Sequence, residues 1–178
     1  MKSVIIAAYL AINAVIATAW GESPYVGQEH RTIKSLSPQD IAELESGAGW
    51  GLAKPAELNG IPGPKHVLEL AKELVLSPSQ FEQIEALFVA MQSSAKTIGA
   101  DYLSVEMQIE QLLRTGQPDL PKLSELLTLS GQHLAKLRNV HLRAHWATLP
   151  ILSEHQSKQY QRLRGYETGS GHNPGHKH

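Results

Sequence analysis

A run of apolar residues spaced alternately by three and four limits how this chain can fold more than any other feature. Phe81, Ile84, Phe88, Met91, Ala95, Ile98, Tyr102, Val105, Ile109 and Leu112 keep that rhythm without a break. Such spacing puts them along one side of a single α-helix, whereas a strand would need a period of two. Sustained for about four heptads, it predicts a coiled-coil seam. The helix should open at "LSPSQ", residues 76–80. Ser77 can cap, Pro78 presets φ at the first helical position, and Gln80 can reach back to close a capping box.

That helix must stop at "TGQPDLP", because Gly116, Pro118 and Pro121 cannot all sit inside one helix. A second long helix is expected from near Pro121 to just before Pro150, with Leu123, Leu127, Leu134, Leu137 and Ala144 on its inner side. "LSEHQ", residues 152–156, then repeats the start signal, with Ser153 as cap and Gln156 closing the box of a final helix that runs to about Gly165. If the chain folds back near Pro118, residues whose numbers sum to roughly 236 face each other, and Gln80 meets Gln156. The expected class is all-α: a long antiparallel helical hairpin with short flanking helices and an irregular N-terminal arm. Leu87, Leu103 and Leu113 add apolar surface on the flanks of the seam, more than two helices can bury, so a homodimer is expected.

Four segments follow. Residues 1–19 read as a cleaved signal peptide, with Lys2, the apolar run Val4 to Ile16 and the small residues Ala17-Thr18-Ala19; an uncleaved anchor is the alternative. Either way the working domain lies outside the cytoplasm, and the periplasm is expected. Residues 20–63 form an arm rich in Gly and Pro, with one short helix from Pro38 to about Ser46 between Ser37 and Gly47. Residues 64–166 form the hairpin domain, opening with a short helix from Pro64 to about Val75, and residues 167–178 are a His-containing tail.

A net charge of −1 argues against a nucleic-acid partner, and the chain has no cysteine. No phosphate-cradling loop, nucleophile elbow, nucleophile-and-base pair or paired acid site stands out, so an enzyme is not expected and no catalytic residue is assigned. Metal chemistry would have to use His, Met, Asp or Glu, which suits copper, zinc, nickel or cobalt rather than an iron–sulfur cluster, with copper or zinc expected first. His141 and His145 are one helical turn apart, and the seam places His141 opposite Ala95 and His145 opposite Met91. Two imidazoles and a thioether suit copper; zinc with a water or carboxylate is the alternative, and His66 closes the site if its helix packs there. The competing reading is a pair of seam histidines satisfied by ordinary hydrogen bonds. His172, His176 and His178 form a weaker, tail-borne metal collector. Glu106 and Glu110 should lie in the region of His133, as solvated residues on the flank of the seam. From Gly131 to Tyr166 six basic residues face the single acid Glu154, and Arg138 and Arg143 are candidates for a client-binding surface.

The two motifs Leu76-Ser77-x-x-Gln80 and Leu152-Ser153-x-x-Gln156, mirrored around the expected hairpin behind a signal peptide, resemble the LTxxQ motifs of the Spy/CpxP superfamily of periplasmic stress proteins. That superfamily takes in ZraP-like and CnrX-like metal-binding members. The resemblance covers roughly residues 64–166, with serine where the family usually has threonine, and both hydroxyls can cap. It implies a dimer of curved hairpins, ATP-independent holding of unfolded envelope proteins in some members, and metal binding or sensing in others. The expectation is a periplasmic metal-binding envelope-stress protein. A holdase chaperone is the alternative, and a membrane-anchored heavy-metal sensor acting on a membrane partner is the second.

Overall fold

The computed structural model describes residue 21 and residues 23–117 and 119–166. The expected signal peptide, Pro118 and the tail histidines His172, His176 and His178 lie outside the described residues. Residues 23–30 belong to a unit of their own and form turns closed by Val26 N–H to Ser23 C=O and Gln28 N–H to Tyr25 C=O. From Arg31 onward the described residues form α1 (Pro38–Ser46), α2 (Lys54–Leu58), α3 (Pro64–Glu69), α4 (Pro78–Arg114), α5 (Leu120–Thr148), a 3-10 turn (Leu149–Ile151) and α6 (Glu154–Leu163). No strand occurs among them, and no described helix is long and apolar enough to cross a membrane.

The helix starts follow from the caps. Ser37, Ser77 and Ser153 each accept a hydrogen bond from the backbone N–H three residues on, while the side-chain oxygens of Asp40, Gln80 and Gln156 accept one from the cap's own N–H. Each exchange satisfies two donors that the first turn of a helix leaves free. The two glutamines do more than close their boxes. Gln80 Nε2 donates to Gln156 Oε1 at 2.9 Å and Gln156 Nε2 donates to Gln80 Oε1 at 3.1 Å. The same amides also donate to Ile151 C=O and Leu74 C=O. A glutamate could close either box, but it has no N–H for these cross-links. Both motifs are therefore locked together beside a cluster of Val67, Leu74, Ile84, Leu152 and Tyr160, with Leu76 packed against it.

Contacts between α4 and α5 obey the fold-back sum at a second place, where Ser130 Oγ donates to Glu106 Oε1 at 2.6 Å. The seam itself is shifted on α5. Leu137 and Ala144 are buried as the spacing predicts, but Leu127 and Leu134 point outward, 54% and 37% exposed, and Leu126 takes the inner position at 2%. Leu126 and Leu137 stand eleven residues apart, close to three full turns of a straight helix, so both lie on the inner face. On α4, Ile84, Ala95, Tyr102 and Val105 are buried, whereas Phe81 at the helix start stays 39% exposed.

The arm is more structured than its glycines and prolines predict, since α2 is a second short helix within it. Ile33, Leu36 and Leu44 join Ala95, Tyr102 and Leu137 in one core cluster. The close approach is made at Gly99, where a Cβ would stand 2.6 Å from the Leu44 carbonyl oxygen. Trp50 Nε1 donates to Asp40 Oδ1 at 2.8 Å, and its ring tilts against Tyr102. Glu110 is a correction: it is buried, not a solvated flank. It pairs with Lys34 and Arg114 and accepts from the Lys34 backbone N–H at 3.2 Å. Ser35 Oγ donates to Glu106 and Arg114 donates to Thr32 C=O, so the two glutamates and Arg114 together hold residues 32–35 to α4.

The helix expected to reach Val75 ends at Glu69, and the chain tightens into turns with Ala71 N–H donating to Leu68 C=O. The turns close with Leu76 N–H to Ala71 C=O and Val75 N–H to Lys72 C=O, the paired bonds of a Schellman motif. Val75 occupies the left-handed position usually given to glycine, with φ 51° and its side chain 80% exposed. Its left-handed conformation costs about 1–2 kcal/mol, and no packing offsets that. Val75→Gly is therefore expected to raise unfolding free energy by about 1 kcal/mol after the glycine entropy cost, measured by urea denaturation.

Candidate metal site and the arm that covers it

Because α5 is continuous through this region, His141 and His145 share one face, one turn apart. His141 is 2% exposed and its Nε2 is buried with no hydrogen-bond partner. Burial, reinforced by the nearby His145, holds its pKa below the ordinary histidine value. The imidazole is therefore kept neutral, with a lone pair available for a ligand. Further along the helix, His133 Nδ1 is likewise buried and unpartnered.

His145 turns away from Met91 and into the arm, against the sequence expectation. Its Nδ1 donates to Ile61 C=O at 2.9 Å. At its other edge lies Gly63, where a Cβ would come within 2.5 Å of Nε2 and 2.6 Å of Cε1. Only a residue without a side chain lets the backbone run so close to the ring. Gly63 is followed by Pro64 at the first position of α3, and Pro62 and Pro64 are both fully buried.

A carboxylate fastens the arm at this point. Glu57 on α2 accepts at Oε1 from Tyr160 Oη at 2.6 Å, Arg164 Nε at 2.9 Å and Tyr166 Oη at 3.2 Å. Burial and the Glu57 carboxylate push the Tyr160 hydroxyl pKa well up, so the phenol stays a donor. Glu57 Oε2 is buried without a hydrogen bond and lies 4.0 Å from His145 Nδ1. Sequence reasoning missed Glu57. The available signal was Tyr160 near the end of α6 and Arg164 just past it, four residues apart and aimed from one face.

The other expected ligands stand elsewhere. His66 Nδ1 is 2.8 Å from Glu69 Oε2 on the same short stretch of chain, with its side chain one-third exposed. Met91 lines an open, mainly apolar groove of about 800 Å³ between α4 and α5, together with Leu87, Val140, Leu142, Arg143 and Trp146; neither imidazole lines it. Trp146 is 67% exposed there. Arg138 is exposed but does not line the groove. Among the described residues no three His, Asp or Glu side chains are grouped to hold an ion. At the His141–His145 pair the docked arm thus leaves the unpartnered Nε2 of His141 rather than a finished coordination sphere. Comparisons with protein-family models, curated proteins and solved structures find no match for this chain.

Proposed function

We propose that this chain is a periplasmic metal-binding envelope-stress protein of the Spy/CpxP type, with His141 and His145 as its imidazole donors and copper or zinc as the ion. The observation that carries the reading is the buried, unpartnered Nε2 of His141 beside a second imidazole. An unpaired buried polar group costs about 1–3 kcal/mol and calls for an explanation such as an ion. The working form is an antiparallel helical hairpin paired with a second copy. Supporting the pairing, Leu120, Leu127 and Leu134 are seven residues apart on α5 and are 66%, 54% and 37% exposed, a stripe suited to a helix–helix contact.

Client holding is the second reading, and the groove with the exposed Trp146, Met91 and Arg143 favours it. An apolar trough with a basic rim suits weak capture of unfolded segments that are partly acidic. A membrane-anchored sensor is the third reading and depends on residues 1–19 remaining attached.

Calorimetric titration with Zn²⁺ and Cu²⁺ tests the metal reading, using the full chain with His172→Ala, His176→Ala and His178→Ala to silence the tail. One ion per protomer is expected, lost in His141→Ala and weakening as pH falls through about 6 because protons compete for the imidazoles. Metal uptake by the unaltered chain alone contradicts the reading and assigns binding to the tail. The client reading instead predicts aggregation suppression that survives His141→Ala and is lost in Arg138→Glu with Arg143→Glu.

A further inference from the structure

The arm closes over the imidazole pair in a way that regulates it. We propose that residues 57–63 are a latch on His145, so that docking of the arm and binding of a metal ion at His141 and His145 exclude each other. The inference rests on the metal reading above and adds its control. With the arm docked, Nδ1 of His145 is in a hydrogen bond to Ile61 C=O, and Nε2 is crowded by the Gly63 backbone. A metal–nitrogen bond of about 2 Å needs one of these nitrogens clear of backbone. His141, by contrast, already has a buried nitrogen with nothing on it.

The latch is also built to open locally. Of the side-chain donors from the C-terminal segment, Tyr160, Arg164 and Tyr166 converge on Glu57 Oε1, and Gln161 Nε2 reaches Gly60 C=O at a longer 3.4 Å, while Glu57 Oε2 has no donor. The helix carrying Glu57 is five residues long and its N-cap side chain makes no hydrogen bond. A helix so short is not stable by itself. Lifting Glu57, Ile61 and Gly63 from α5 and α6 should therefore melt α2, with loss of the bonds from Gly60 N–H to Glu57 C=O and Ile61 N–H to Ala56 C=O. The remainder of the arm has its own anchors on α4, at Lys34 and Leu44. Opening the latch does not require detaching them.

Hydrogen exchange and Zn²⁺ titration of the tail-silenced full chain test the latch together. Saturating Zn²⁺ is expected to speed exchange at the amides of Glu57, Gly60 and Ile61 at least tenfold and to leave α4 protected. Gly63→Ala pushes the arm off the ring, so it should show that fast exchange without metal and bind Zn²⁺ at least tenfold more tightly, since the competent state is no longer scarce. Arg164→Gln loosens the same latch from the Glu57 side and should move both readouts the same way, which covers a folding failure of the first variant. Zn²⁺ binding with unchanged arm exchange, and equal affinity in the variants, overturns the latch while leaving the metal reading in place. No Zn²⁺ binding in any of the three proteins overturns both.

Discussion

Replacing Glu57 with alanine is expected to lower the free energy of unfolding by about 3 kcal/mol, at the lower end of the cost of removing one member of a buried ion pair. The fully buried Tyr160 hydroxyl and the Arg164 guanidinium, whose side chain is 30% exposed, would both lose their acceptor. Partial solvation of Arg164 keeps the figure from being larger. Glu57→Gln should cost less, because the amide oxygen still accepts while the charge attraction is lost. Urea denaturation at pH 7 gives the comparison. An alanine variant within about 0.5 kcal/mol of the unaltered chain, the range of an ordinary surface substitution, would show that this carboxylate does not fasten the arm.

Acid should undo the other end of the arm. The Lys34 and Arg114 contacts hold Glu110 at about 2, below its ordinary value of 4.5. Its folded pKa is depressed, so the unfolded chain takes up the proton first as pH falls. The contribution is present in full above the ordinary value and is lost as pH drops from there through about 2. Lys34 and Arg114 are themselves 43% and 55% exposed, and solvent screening reduces the effect to about 2 kcal/mol. Glu110→Gln should remove most of that acid-dependent loss. Stability curves measured from pH 6 to 2.5 that coincide for the two proteins would contradict the role given to this pair.

How much could be read from residues alone depended on whether the signal was local. Ser77-Pro78 and Ser153 mark helix starts because a hydroxyl, an imino acid and a glutamine act within one turn, and the structure starts α4 and α6 at those places. The meeting of Gln80 with Gln156 was also legible, since it needs only helix lengths and one turn. Leu127 and Leu134 were misplaced because α5 carries two neighbouring apolar stripes and spacing alone does not say which one faces the core; Leu126 packs inside instead. The end of α3 was misjudged because the chain passes after Glu69 into tighter turns, with Ala71 N–H donating to Leu68 C=O, a change of bonding that apolar spacing does not register. The burial of His141 followed from its seam position. The orientation of His145 did not, because it depends on Ile61 and Gly63, which reach it from more than eighty residues earlier in the chain. Glu110 escaped for the same reason: Lys34 lies seventy-six residues away, and no periodicity connects them.

The most direct test of the metal reading is the nitrogen spectrum of the imidazoles themselves. With the full chain labelled with ¹⁵N at histidine, and His141→Ala and His145→Ala used to assign resonances, one equivalent of Zn²⁺ should shift Nε2 of His141 from the free, unprotonated position to a metal-bound one. A nitrogen of His145 should move in the same step. Movement confined to His172, His176 and His178, with His141 unchanged at saturation, would contradict a metal site on α5 and leave the pair as histidines that merely share a face.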